Sequence, residues 1–237
     1  MLSFKRFILE KTTLEYHDEL NPSLWSGFRL KKAVRSKLLQ LAREWQTFSK
    51  IPDNIVVDII FTGGNANYNY TQVSDIDVHI VIDKNNMFPD REFLDEYLKD
   101  KKLLWSLMRH NRVRGYQVEF YAQDQDDNLV ASAVYSLRHD KWIKKPVHGK
   151  YNFEDEGLEK KVQEYRTLID TFIEKGVDAQ DFEVVKSKLR ELRATSLTTG
   201  DEYSEGNLIF KSLRNEGYLD KINSYLNSLK DRELSLD

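Results

Sequence analysis

The stretch TGGNANYNYTQVSDIDVHIVID, residues 62–83, sets ten residues between the pair Gly63-Gly64 and Asp75, and Asp75 two residues ahead of Asp77. Two aspartates separated by one apolar residue project to the same side of an extended chain, where both can reach one hard cation through oxygen. Without a cation their like charges repel. Gly63 and Gly64 supply a turn without side chains, which exposes backbone amides to a phosphate. Further along, GYQVEFYA carries Glu119 in the middle of an apolar and aromatic run, and an acid at such a place needs a reason. If the two strands are neighbours, Asp75, Asp77 and Glu119 converge as ligands for one or two magnesium or manganese ions. Ions so held bridge the phosphates of a nucleotide, neutralise charge as it develops and activate an attacking hydroxyl.

The neighbouring side chains have two readings each. Asn65 follows the glycines and is a candidate for phosphate contact. Ser74 stands just ahead of Asp75, where a serine either touches the nucleotide or caps the turn. Tyr68, with Asn67 and Tyr70, could stack on a base or orient a ribose, and packing explains the three equally well. His79 shares the face of Asp77, and a structural histidine is the simpler reading. The acidic stretch DQDDN lacks the glycine and closing glutamate of a calcium loop and fits a solvated turn.

These residues must be positioned by the elements around them. NIVVDIIFTGG is β-branched and apolar, which suits a buried strand ended by its glycines. DIDVHIVID alternates Ile76, Val78, Ile80 and Ile82 with Asp77, His79, Val81 and Asp83, the period of a strand. Glu119 shares a face with Gln117 and Tyr121, opposite Val118, Phe120 and Ala122. LVASAVYSL is the expected hairpin partner of that strand, joined to it across DQDDN. Leu30, Val34, Leu38, Leu41, Trp45 and Phe48 recur at helical spacing and predict a helix over 27–50, stopped before Pro52. Phe93, Leu94, Tyr97, Leu98, Leu104, Trp105 and Met108 predict another over 90–110. From about residue 153 only helical patterns follow. Leu158 to Phe172 form one stripe and Phe182 to Leu192 a second; TSLTTGDEYSEGN is a polar connector, and a final helical pair closes the chain.

Composition sets outer bounds. A chain of 237 residues, 40% of them apolar, can bury a substantial core. A formal net charge of -3 gives no reason to expect strong binding of duplex DNA. The absence of cysteine excludes disulfides, thiolate zinc sites and cysteine nucleophiles. No run approaches the length of a membrane span, and the opening MLSFKRFILEKTTLEYHDEL has too short an apolar core and too many charges for a secretion signal. The expectation is a cytoplasmic protein that does not bind membranes.

An apolar strand, two small residues, a spacer of about ten and then Asp-apolar-Asp-apolar resembles the signature of the DNA polymerase beta-type nucleotidyltransferase superfamily, and Glu119 is similar to its third metal carboxylate. The resemblance covers about residues 27–136. It implies a small mixed sheet flanked by helices, commonly with a helical domain, and two metal ions serving transfer of a nucleoside monophosphate from a triphosphate. More loosely, NYNYTQVSDIDVH, the opening SFKRFILE and the tail EGNLIFKSLRNEGYL resemble nucleotidyltransferases encoded by tailed bacteriophages, which would put the protein in the host cytoplasm. Most superfamily members have Gly-Ser where this chain has Gly63-Gly64, so Asn65 or backbone amides must replace the serine hydroxyl on a phosphate.

The expectation is therefore an α+β fold. Residues 1–26 form an N-terminal helical extension, 27–150 a nucleotidyltransferase core and 151–237 a C-terminal helical region. Asp75, Asp77 and Glu119 carry metal and catalysis, and Gly63, Gly64, Asn65, Tyr68 and Ser74 bind the nucleotide. The partner is a nucleoside triphosphate, with RNA, a protein or a small molecule as acceptor. The alternative is an inert nucleotide-binding or virion-associated protein that keeps the fold without turnover.

Overall fold

Two β-branched runs make the centre of a sheet because their side chains pack well on a pleated surface and lose little by being held extended. In this computed structural model, which describes residues 14, 16–109, 111–127, 131–148, 156–199 and 203–234, the runs are β3 (Val56–Thr62) and β4 (Ile76–Ile82), paired antiparallel. Ahead of them lie a two-residue ladder, β1 (Trp25–Ser26) with β2 (Arg29–Leu30), and helix α1 (Lys32–Phe48). After β4 the chain crosses through α2 (Arg91–Met108) and the short β5 (Arg112–Val113) into β6 (Tyr116–Asp124). A strand that returns through a helix can lie parallel to its predecessor, and β6 pairs parallel with β4. With β7 (Val134–Ser136) and β8 (Lys141–Lys144) the sheet is six-stranded and mixed, in the order β5-β6-β4-β3-β7-β8.

The chain divides into two compact units, Glu15–Gly149 and Met1–Leu14 with Lys150–Asp237. In the first, Ile76, Val78, Ile80 and Ile82 are fully buried, with Phe61, Leu38 and Trp45 among their neighbours in one core. The Trp45 and Phe120 rings stack at 5.9 Å, joining α1 to β6 across it. Helix α2 begins cleanly because the Asp90 side chain accepts from the Phe93 amide at 3.0 Å. The second unit contains α3 (Glu156–Glu174), α4 (Ala179–Thr199), α5 (Glu205–Asn215) and α6 (Tyr218–Leu234). Its own core gathers Leu158, Val162, Ile169, Phe182, Leu189, Leu213 and Ile222. Within it Arg166 is buried and pairs through both Nε and Nη2 with Glu216, and through Nη1 with Glu159 at 2.6 Å. Among the described residues, no helix is long and apolar enough to cross a membrane.

The structure departs from the sequence reading in four places. LVASAVYSL is not the hairpin partner of β6: its described part carries β7, which pairs with β3 through Ile60↔Ser136. The reason is that β6 has β4 on one side and β5 on the other, whereas β3 offers an open side. Helix α1 starts at Lys32, not near residue 27, because Gly27, at φ 55°, turns the chain between β1 and β2. Residues 16–26 run through turns into β1 instead of a helix, and SFKRFILE lies outside the described residues. The start of TSLTTGDEYSEGN continues α4 to Thr199.

The alternation of β4 predicts unequal responses on its two faces. Ile80→Ala should cost about 2–5 kcal/mol by leaving a core cavity, while Val81→Ala, on the half-buried face, should cost about 1 kcal/mol or less. Urea unfolding followed by tryptophan fluorescence reads this directly, since Trp25, Trp45, Trp105 and Trp142 all lie in the first unit. Equal losses would mean that both faces are packed alike.

Candidate active site

The same alternation that buries Ile76, Val78 and Ile80 turns Asp77 and His79 to the opposite face of the sheet, where both are half-buried. Register then decides their neighbours. Asp77 stands opposite Thr62 of β3 and opposite Glu119 of β6, so Thr62, Asp77 and Glu119 form one row across three strands. The next row is Ile60, His79 and Tyr121. The parallel pairing thus places the two acids, 42 positions apart in the chain, side by side. Asp75 sits one residue before β4, two residues ahead of Asp77.

The glycine turn closes on this row. Gly63 has φ 82° and ψ -169°, a backbone conformation essentially reserved for glycine. A Cβ on it would fall against Asp77 Oδ2, inside the carboxylate itself. Gly64 is less constrained: a Cβ there would meet Asn69 O and Ser74 Oγ at 3.4 Å, ordinary contact. Asn65 is fully buried, and its amide nitrogen donates to the carbonyls of Ser74 at 3.1 Å and Asp75 at 3.0 Å. Its side-chain oxygen accepts from Asn21 Nδ2 at 2.7 Å, and its carbonyl from Trp25 Nε1 at 2.8 Å. This brace fixes the turn against the backbone that carries both aspartates. Ser74 Oγ accepts from the Thr71 amide at 2.9 Å, and buried Tyr68 packs its ring on His148 at 4.8 Å and Tyr16 at 5.8 Å. The Asn65 carboxamide is therefore engaged by partners inside the protein. Of the five residues expected to bind the nucleotide, Gly63 and Gly64 form the turn, Asn65 and Ser74 make hydrogen bonds that hold it, and Tyr68 is buried among aromatic rings.

Glu119 is held from the side. Lys102 Nζ of α2 lies 3.0 Å from Glu119 Oε2, and the Tyr121 hydroxyl donates to the same oxygen at 2.5 Å. The lysine also sits 3.5 Å from the centroid of the Tyr121 ring. Burial raises the pKa of Tyr121 strongly, and the charges of Asp77, Glu119 and Asp75 push the same way, so the phenol stays protonated. All three carboxylates therefore bear on one hydroxyl. Burial holds His79 below its usual range against a hydrogen bond from Nδ1 to Gln123 Oε1 at 2.8 Å, with Lys102 adding to the depression. The imidazole is neutral at neutral pH. Among the described residues, no three His, Cys, Asp or Glu side chains are gathered as ligands of one ion. Asp77 and Glu119 are neighbours in register and Asp75 lies two residues before Asp77, but Glu119 is paired with Lys102. The donor set still suits a hard divalent cation, since every candidate ligand is a carboxylate oxygen. Lys102 is not legible in the run KDKKLLW, where only the docking of α2 on β6 singles out one lysine of three.

No model of a known protein family matches the chain. No curated protein matches it either. Among solved structures the chain is similar to the CdnC:HORMA-deltaN complex of E. coli MS115-1, at 14% identity over 79% of this chain and 61% of that one, with a TM-score of 0.26. It is also similar to a STING-associated CdnE c-di-GMP synthase from Capnocytophaga granulosa, at 11% identity over 86% and 84%, with a TM-score of 0.24. The chain spans about three fifths of the E. coli protein it matches. Likeness at these values carries no conclusion about activity.

The glycine pair should respond asymmetrically to substitution. Gly63→Ala combines a strained backbone with a clash against Asp77 and should cost at least about 2 kcal/mol. Gly64→Ala, with ordinary contacts, should stay within about 1 kcal/mol of wild type. Unfolding free energies of the two variants check this, and a tolerated Gly63→Ala would show that the carboxylate does not occupy that space.

Proposed function

We propose that the chain is a metal-dependent nucleotidyltransferase that moves a nucleoside monophosphate from a triphosphate onto a hydroxyl acceptor. The observation that carries the reading is the direct register of Asp77 with Glu119 on parallel strands, with Asp75 two residues ahead of Asp77 and Gly63 pressed against Asp77. In this reading Asp75 and Asp77 hold magnesium or manganese, two ions in all, and Glu119 completes the set once it leaves Lys102. The metal, when bound, supplies charge neutralisation on the phosphates. The Gly63-Gly64 turn presents backbone amides to the triphosphate, and the Asn65 brace keeps that turn at a fixed distance from the aspartates. The acceptor oxygen bonds to the α-phosphorus, the bridging bond to the β-phosphate breaks, and pyrophosphate leaves. The hydroxyl proton passes to a carboxylate of the row, Glu119 in this assignment. RNA, a small molecule or a protein side chain can each supply such a hydroxyl.

One observation favours a second reading. The Lys102 ion pair occupies Glu119, and a site kept in that state would bind a nucleotide without turning it over.

Incubation with each labelled triphosphate and candidate acceptors, with magnesium or manganese, separates the two. Asp75→Asn and Asp77→Asn should lower transfer by orders of magnitude, because this chemistry depends on positioning and charge stabilisation. Their metal-free stability should hold or rise slightly, since each removes one of several crowded like charges. Destabilisation by roughly 0.5–2 kcal/mol with transfer intact would instead make the aspartates turn and capping groups. Magnesium with a triphosphate should raise the melting temperature of wild type more than either alone, and Asp77→Asn should abolish that joint effect.

A further inference from the structure

Lys102 stands at an unexpected place on α2. The buried stripe of that helix runs through Leu94, Leu98 and Trp105, and Lys102 falls on its flank, four residues after Leu98 and three before Trp105. Trp105 anchors this part of α2 on the sheet, meeting Phe120 edge to face at 6.5 Å. The Lys102 ammonium reaches the face of β6 that carries Glu119 and Tyr121. There it lies 3.0 Å from Glu119 Oε2 and over the ring of Tyr121, with lysine and glutamate each about one third exposed. Lys101, the preceding residue, points elsewhere, its ammonium 5.1 Å from the Phe48 ring and 5.2 Å from that of Tyr97. One turn of helix thus offers two lysines of equal charge, and one of them answers the carboxylates.

We propose that Lys102 is an internal counter-cation, which holds Glu119 in the metal-free protein and must release it before a divalent cation can take the third carboxylate. This rests on the metal-site reading above and adds to it a competition built into the fold. A divalent ion at the row and an ammonium on the same carboxylate oxygen repel each other, so the two cannot both keep Glu119. Tyr121 donates its hydroxyl to the same oxygen in the metal-free protein. Metal affinity is therefore set below the value the three carboxylates would give unaided. Glu119 joins the other ligands only when the incoming charge outweighs that of Lys102.

The test is the affinity of the metal-free, full-length protein for Mn2+, read from the electron paramagnetic resonance of the free ion. Lys102→Gln should bind Mn2+ roughly five- to tenfold more tightly than wild type, the scale of one part-buried charged hydrogen bond. Adding Glu119→Gln to that variant should remove the gain. Lys101→Gln, which deletes the same charge in another direction, should leave the affinity within about twofold of wild type. Lys102→Met keeps an unbranched side chain of similar length without the charge and repeats the experiment if the glutamine variant folds poorly. Should wild type bind Mn2+ in an Asp77-dependent way while both Lys102 variants bind it no better, the competition is overturned and the metal site stands. Should neither wild type nor the Lys102 variants bind Mn2+, both are overturned together.

Discussion

The Asp77 carboxylate occupies the space where a side chain on residue 63 would begin, and the arrangement of the acidic face follows from that contact. It requires glycine at the end of β3, in a backbone conformation other residues do not adopt. It also forces the chain to leave β3 sharply, into a turn whose buried Asn65 is tied by its side chain to the carbonyls of Ser74 and Asp75. The loop between the two central strands is thus clamped at both ends. What the clamp holds still is a row of acids beside a stretch of backbone without side chains, the pair of features a phosphate and its counter-ions need.

Such a row is electrostatically costly in isolation. Asp77 and Glu119 are forced together by strand register, and Asp75 adds a third charge that reaches the same Tyr121 hydroxyl. The fold answers at Glu119 with the ammonium of Lys102, introduced from α2 and held over an aromatic ring. In the proposed reading a divalent ion binds these carboxylates, and the lysine fixes which of them is yielded last.

Much of this is legible in the amino-acid sequence. The parity of DIDVHIVID separates a core face from an acidic face, and the structure buries Ile76, Val78, Ile80 and Ile82 while leaving Asp77 and His79 half-covered. The placing of Glu119 among Val118 and Phe120 marks it as an acid facing away from the core, and it stands on that face. Pairing is harder. Periodicity says which face a residue takes and nothing about which strand lies beside it, so LVASAVYSL reads as a partner for β6 although β3 has the open side. Asn65 illustrates a second limit, since its partners include Asn21, far off in sequence, and a buried brace and a phosphate ligand call for the same residue type. Lys102 illustrates a third: on a helix with neighbouring lysines, only packing decides which charge meets the sheet.

The central claim is that Asp75 and Asp77 hold divalent metal at this edge of the sheet. A crystal structure with Mn2+ and a non-hydrolysable triphosphate analogue tests it most directly. The account predicts anomalous signal within bonding distance of carboxylate oxygens of Asp75 and Asp77, with the Glu119 carboxylate turned from Lys102 toward the ion. An occupied nucleotide with manganese bound elsewhere, and the two aspartates holding only their own turn, would contradict it.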